Sequence, residues 1–382
     1  MFTRTYKNSS EKISLLGFGA MRLPVVNVET QEIDVPLATS MLDDAWNHGV
    51  NYFDTAYPYH FGQSEIVVGE ALSKHPRDSF YLANKMPVWM TRTADDVKRI
   101  FNEQLQKCRV DYFDFYLLHN LSAPKMPRVE SLKTYEFLAE QKKEGRIRHL
   151  GFSFHDTPQA LRPIVDRYAW DFAQIQLNYL DWELLDAKGQ YEILTEHELP
   201  VVVMEPVRGG ALSSLSPEAV EILQTANPYV STTSWALRFA ASLPNVLTVL
   251  SGMSTPQQLA DNIHVLSAFQ PLTPLELETI EKAVVAYRAA SPIPCTGCRY
   301  CMDCPSGVDI PKVFAVYNHY LTTQRESEFL GGYFMLGEQH QAHQCVACGA
   351  CLTQCPQHID IPKQMGEIAH AFGQITKPDW FG

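Results

Sequence analysis

Before residue 295 the chain contains a single cysteine, Cys108, and nowhere does it approach the about 18 consecutive apolar residues of a membrane-spanning helix. Its first residues, MFTRTYKNSSEK, lack the apolar core of a secretory leader, so a cytoplasmic location is expected. Basic residues are in short supply: 31 Lys plus Arg stand against 43 Asp plus Glu, for a net charge of −12. Phosphate binding needs a positive face, so a general nucleic-acid surface is excluded. A basic protein partner is compatible with this charge, although most acidic surface only solvates the fold. Apolar content is an ordinary 46%, and 382 residues exceed what one core usually holds, so two domains are expected.

The cysteines missing from the first part are crowded into the last. Residues 295–304 read CTGCRYCMDC, and residues 345–355 read CVACGACLTQC. The first run spaces Cys295, Cys298, Cys301 and Cys304 by two residues each; the second spaces Cys345, Cys348 and Cys351 by two and Cys355 by three. Each run closes on an echo, CPSGVDIPK at 304–312 and CPQHIDIPK at 355–363, which makes an internal repeat offset by about 50 residues. Three thiolates at C-x2-C-x2-C spacing with a C-P cysteine beyond them suit a [4Fe–4S] cube. The alternative is zinc, which favours separated C-x2-C pairs over triplets. Cys108 reads as an inert buried thiol.

Ahead of these runs, apolar segments alternate with helical patterns. Short strands over Phe2–Tyr6 and Ile13–Leu16 are expected to form a hairpin under a barrel floor, and LLGFGAMRL, 15–23, reads as the first barrel strand. The others lie around residues 50–54, 79–85, 111–119, 148–153, 172–177, 201–204 and 246–250, with helices between them. Eight strand-then-helix units in about 270 residues match a closed (β/α)8 barrel. The second strand stops at Asp54, with Tyr59 in the loop beyond; the third stops at Lys85 and the fourth at His119. Each of these residues taken alone is more often solvated or structural than catalytic. Together, at the C-terminal ends of consecutive parallel strands, they fall on the one face of such a barrel that carries chemistry. Ser291-Pro292-Ile293-Pro294 reads as a stiff hinge, dividing a barrel at 1–290 from a cysteine-rich domain at 291–382.

In the stretch Asp54-Thr55-Ala56-Tyr57-Pro58-Tyr59, with Lys85 and His119, the chain resembles the aldo-keto reductase superfamily over roughly residues 10 to 290. The resemblance implies a TIM barrel with Tyr59 as general acid, Lys85 tuning it, Asp54 holding Lys85, and His119 orienting the carbonyl. The chemistry is sensible: hydride addition leaves charge on oxygen, an unperturbed phenol has a pKa of about 10, and a neighbouring ammonium favours phenolate. The resemblance also implies a nicotinamide cofactor. Ser153 and Gln174 match family nicotinamide contacts, and Met204 stands where many members carry a stacking tyrosine; Phe154 replaces an asparagine. Gly19, Ala20 and Met21 at the first strand end, and Pro206, Arg208 and Gly210 after the seventh, fall near the expected cofactor path. In the last loop Gly252, Met253, Ser254, Gln258 and Asn262 occupy the nucleotide-binding positions. NADPH-preferring relatives carry Lys-Ser and a later Arg here; Gly252-Met253 and Gln258 remove those cations, so an NADPH preference is in doubt and NADH or weak nucleotide binding becomes credible.

The tail is similar to two-cluster ferredoxins, and its long 305–344 spacer resembles their α-helical variant. That resemblance implies exchanged fourth ligands. One cube would take Cys295, Cys298, Cys301 and Cys355, and the other Cys345, Cys348, Cys351 and Cys304. The first run departs from the common pattern by having two residues before its last cysteine, which leaves the fourth ligand of each cube open. Hydride carries two electrons and a cube usually one, so a flavin is not excluded, although no secure flavin motif is present. The expected activity is reduction of a small carbonyl, or oxidation of an alcohol, coupled through the clusters to a partner such as a ferredoxin or flavoprotein. Two other readings remain open: a redox-sensing, nucleotide-binding barrel with little turnover, and a reductase whose clusters are purely structural.

Overall fold

The computed structural model describes residues 1–27, 30–290 and 293–375; Ser291 and Pro292 of the expected hinge lie outside the described residues. Eight parallel strands close into a barrel: β1 (Leu16–Gly19), β2 (Tyr52–Asp54), β3 (Tyr81–Pro87), β4 (Phe113–Leu121), β5 (Ile147–Phe154), β6 (Phe172–Gln176), β7 (Val201–Met204) and β8 (Val246–Ser251). Strand neighbours follow chain order, and β8 pairs with β1 to close the ring. Strands buried on both faces read as near-continuous apolar runs, as Val201–Met204 and Val246–Ser251 do, whereas the third to sixth strands are interrupted by polar residues such as Lys85, Asp114, Arg148 and Gln174. Among the described residues no helix is long and apolar enough to cross a membrane.

The expected floor hairpin is present: Thr3–Thr5 pairs antiparallel with Lys12–Ser14. Tyr6 and Ile13 join Tyr52, Phe115, Leu117, Phe172 and Val202 in one buried cluster that fills the barrel. β1 is shorter than the 15–23 stretch suggests, because the chain leaves the sheet at Ala20 and turns through Ala20–Arg22.

The intervening helices carry their starts and stops in the sequence. The helix Val35–Asn47 is capped by Asp34, whose side chain accepts from Leu37 N, and Gly49 follows its end at φ 83°. The helix Ala94–Cys108 begins with a reciprocal Thr93–Asp96 capping box. Two of the stretches between strands carry two helices rather than one. After β4, Met126–Ser131 and Thr134–Lys143 are separated at Lys133, which sits at φ 50°. After β6, Asp181–Leu184 and Ala187–Glu196 are separated at Asp186, which sits at φ 49° and caps the second piece.

The chain forms two compact units: Met1–Pro206 with Thr233–Leu272, and Val207–Thr232 with the residues from Thr273 onward. In the second unit the repeated D-I-P-K of the two echoes starts a helix each time. Asp309 Oδ1 accepts from Lys312 N, and Asp360 Oδ1 from Lys363 N, each at 3.3 Å. The proline then falls in the first turn, where its missing N–H costs nothing. The helices run Ile310–Thr323 and Ile361–Ile375, with Glu326–Met335 between them. Val308 with Ile359, and Ile310 with Ile361, are echo partners that share one apolar core with Phe314, Phe329, Tyr333 and Met365.

Gly209 in this unit has φ +65°, and a Cβ there would lie 1.9 Å from the Thr296 carbonyl oxygen. Gly209→Ala is expected to cost about 3 kcal/mol, since strain and a backbone clash act together. Gly145→Ala, at φ +79° with nothing within 4 Å, should cost about 1 kcal/mol. Chemical denaturation of both variants checks this; equal losses would mean the close approach to Thr296 carries no energy.

Candidate active site and cysteine centres

Asp54, Lys85, His119, Ser153, Gln174 and Met204 all lie at or near the C-terminal ends of barrel strands. β3 and β4 run two residues past Lys85 and His119, so both project inward before the strands end. The register supplies the match: Asp54 pairs with Ala83, Lys85 with Leu117, Ser153 with Gln174 and Gln176 with Met204. The β4–β5 register slips between Leu118 and Leu121, where Asn120 takes φ 55° and its N–H donates to Ser153 Oγ at 2.8 Å. A bulge of this kind re-aims the adjacent side chain, here His119.

The Lys85 ammonium donates to Asp54 Oδ1 at 2.5 Å, to the Thr55 carbonyl at 2.9 Å and to Tyr59 Oη at 3.3 Å. His119 faces the Tyr59 ring edge-on, centroids 5.9 Å apart. The loop carrying Tyr59 is pinned to the first strand end. Ser64 Oγ donates to the Ala20 carbonyl at 3.0 Å, and His60 Nε2 accepts from Leu23 N at 3.2 Å. Behind Lys85 a buried polar layer holds β3: Gln104 Nε2 donates to the Lys85 carbonyl, to Asn84 Oδ1 and to Glu65 Oε1 within 3.0 Å.

Burial dominates the electrostatics. It lowers Lys85 and raises Asp54, and each opposes the other's shift through the ion pair. It also holds His119 well below the usual histidine range, helped by Lys85, His155 and Lys125, so the imidazole is neutral near pH 7. Asp54 Oδ2, His119 Nδ1 and Gln174 Oε1 are buried without a hydrogen-bond partner among the described residues. Lys85→Met should therefore cost about 3–5 kcal/mol, because it leaves the buried Asp54 without its counter-charge. The double variant Lys85→Met with Asp54→Leu should recover most of that loss. Urea unfolding of the single and double variants measures it; equal stabilities for the two would show that the pair is not coupled.

Around the nucleotide-side residues, Gln174 Nε2 donates to Met204 Sδ at 3.4 Å, and Asn262 Nδ2 to Ser251 Oγ at 2.9 Å. Ser254 ties the last loop to the first: its Oγ donates to the Arg22 carbonyl at 2.8 Å, and its N–H to Gln258 Oε1 at 2.8 Å. Phe154 and Met253 are buried. Arg208 and Gly210 belong to the second unit, where buried Arg208 donates to Gln357 Oε1 at 3.2 Å. Arg22 is a residue that sequence reasoning passed over. It pairs with Glu205 at 3.2 Å and lies against the Cβ position of Gly252. Trp89 is another, its ring 4.9 Å from that of His119. Neither carries a motif signal, since each comes from a turn after a strand.

In the second unit the eight clustered cysteines divide into two quartets. Cys295, Cys298, Cys301 and Cys355 line one hollow; Cys304, Cys345, Cys348 and Cys351 line another. Among the described residues no three His, Cys, Asp or Glu side chains draw together as closely as a single metal ion requires. The backbone repeats with the sequence: Gly297 and Ala347, then Arg299 and Gly349, all take positive φ at matching places. Gly297 N donates to Cys295 Sγ at 3.4 Å. Burial and the neighbouring Cys298, Cys295 and Cys355 push the Cys301 thiol up, and Cys351 is raised in the same way by burial and by Cys345, Cys304 and Cys348. Such crowding opposes ionisation unless a cationic centre sits among the sulfurs. Cys108 is buried apart, pushed well up by burial, with Asn84 donating to its sulfur at 3.5 Å.

Comparison with known proteins gives two matches along the chain. The Aldo/keto reductase family pattern matches residues 15–285, and a 4Fe-4S dicluster domain matches residues 294–359. The chain belongs to the aldo/keto reductase family, and carries that dicluster domain behind its barrel. It is 27% identical to the uncharacterized oxidoreductase YqkF of Bacillus subtilis, over 74% of this chain and 96% of that protein. It is 23% identical to the NADH-specific methylglyoxal reductase of Escherichia coli, over 67% of this chain and 90% of that one. Among solved structures, the holo form of aldo-keto reductase AKR11C1 from Bacillus halodurans superposes with a TM-score of 0.62 at 27% identity, covering 74% of this chain and 96% of that one.

Proposed function

We propose that this chain reduces a small carbonyl compound, or oxidises the corresponding alcohol, with Tyr59 as general acid and base. Residues 1–290 would carry this reaction, and 291–382 would hold two [4Fe–4S] clusters that exchange electrons with a partner such as a ferredoxin or flavoprotein. The observation that carries the reading is the continuous chain from Asp54 through Lys85 to Tyr59, at 2.5 and 3.3 Å, at the C-terminal ends of adjacent strands. When bound, a nicotinamide supplies a hydride and each cube a single electron.

The chain's own residues supply the rest. Tyr59 delivers its proton to the nascent alkoxide, and the Lys85 ammonium stabilises the charge left on the phenol oxygen. Asp54 keeps that ammonium in place. Neutral His119 presents one ring nitrogen to the carbonyl and so fixes its direction. Ser153 and Gln174 suit a carboxamide: the buried Gln174 Oε1 is an acceptor awaiting an N–H. Met204 offers a soft apolar cover for a ring. Gly19, Ala20, Met21, Pro206, Gly252, Met253, Ser254, Gln258 and Asn262 would line the remainder of the nucleotide. NADH is favoured over NADPH, because the last loop has no cation of its own and the Escherichia coli relative is NADH-specific by name. For the clusters, four thiols around a hollow suit a cube better than one zinc ion, whose four sulfurs must converge at about 2.3 Å.

A second reading, in which the clusters only brace the tail, is favoured by the place of Cys301 inside the apolar core of the second unit. Anaerobic assay of a carbonyl panel with NADH and NADPH, with the clusters held oxidised and then reduced, tests both. Rates that follow the cluster state support the coupled reading, unchanged rates support bracing, and no turnover with either nucleotide removes the reductase.

A further inference from the structure

We propose that Lys125 selects carbonyl substrates that carry a carboxylate; this rests on the reductase reading above. Lys125 closes the turn Ala123–Lys125, just past the end of β4 and six residues beyond His119. Its Nζ donates to the Asn120 carbonyl at 2.7 Å. That bond braces the β4 bulge and uses one of the three N–H donors of the ammonium. No carboxylate among the described residues pairs with the other two. Asp156 is the opposing charge that Lys125 feels, and it is engaged elsewhere: its Oδ2 accepts from Ala123 N at 3.0 Å and its Oδ1 from Thr157 N at 2.8 Å.

Trp89 links this ammonium to the reacting centre. Its ring lies 5.8 Å from Lys125 Nζ and 4.9 Å from the His119 ring, and its carbonyl accepts from Arg128 Nη1 at 3.0 Å. A substrate held at Tyr59 and His119 would thus lie along an indole wall with a cation at its far end. The sign of the charge is unusual for this chain. Against a net charge of −12, Lys85, Lys125 and Arg128 gather around His119 and Trp89; Asp54 is taken up by Lys85 at 2.5 Å, and Asp156 is the carboxylate opposing Lys125. A half-buried ammonium attracts a carboxylate more strongly than a solvated one does. Burial lowers Lys125 to about 8, with Asp156 opposing. Lysine is charged below its pKa, so attraction should be full at pH 6.5 and fade as pH rises through about 8, while Arg128 stays charged throughout.

The test compares 4-carboxybenzaldehyde with methyl 4-formylbenzoate, using the full chain, Lys125→Met and Lys125→Arg. The wild type should prefer the acid in kcat/KM by about tenfold to a hundredfold, chiefly through KM. Lys125→Met should collapse that ratio, Lys125→Arg should retain most of it, and raising the pH to 9 should erode it in the wild type. An acid-to-ester ratio untouched by Lys125→Met overturns the proposal while leaving the reductase standing. If neither aldehyde turns over, the reductase reading fails on its own, and tryptophan-fluorescence titration with the two aldehydes decides about Lys125. Tighter binding of the acid, lost in Lys125→Met, sustains the site; equal binding in both proteins refutes it.

Discussion

Replacing Tyr59 by phenylalanine should lower kcat for carbonyl reduction by about 10²–10⁴-fold and leave nucleotide affinity nearly unchanged. The substitution removes one oxygen and keeps the ring. The ring is what His119 meets edge-on and what Lys85 approaches at 4.9 Å, so the local packing survives. What disappears is the proton donor and the atom through which Lys85 acts on the substrate. Because that interaction is made as charge develops on the substrate oxygen, the loss should fall on kcat and on kcat/KM together. His119 cannot take over the role, since burial and neighbouring cations keep it neutral. Equal rates for wild type and Tyr59→Phe would remove Tyr59 as the acid.

The second large effect concerns the cysteine quartets. If Cys355 serves the cube of the first run, as the hollow it shares with Cys295, Cys298 and Cys301 suggests, then Cys298→Ala with Cys355→Ala strips two ligands from one cube and none from the other. Iron should fall from about eight atoms per chain to about four, and reduction should give the paramagnetic signal of one undisturbed cube. If each run instead keeps its own fourth cysteine, the same pair removes one ligand from each cube, and no undisturbed signal survives. Cys304→Ala with Cys348→Ala is the mirror experiment, and should spare the cube that the first pair destroys.

The four rim residues were legible because a parallel barrel puts the C-terminal ends of its strands on one face. Finding where apolar runs stop was therefore enough to bring Asp54, Lys85 and His119 together. The cysteine spacing was legible for a similar reason: the repeat recurs not only in the letters but in the left-handed backbone at 297 and 347. Trp89, Lys125 and Arg22 were not legible. They sit in short turns whose paths no periodicity reveals, and each gains its meaning from a neighbour far along the chain. The breaks at Lys133 and Asp186 escaped because positive φ in a non-glycine residue leaves no compositional mark. Arg208 follows β7, near the expected cofactor path; its contact with Gln357 comes with Val207–Thr232 joining the second unit, a turn of the chain that no shift in composition announces.

One isotope experiment bears most directly on the claim that hydride reaches the carbonyl at the Tyr59 rim. Turnover of an aldehyde with nicotinamide cofactor deuterated at the transferring carbon, in ordinary water, should place one deuterium on the product alcohol carbon. A product carrying only solvent-derived hydrogen there would mean that the nicotinamide hydride does not pass directly to the carbonyl, and would contradict the account.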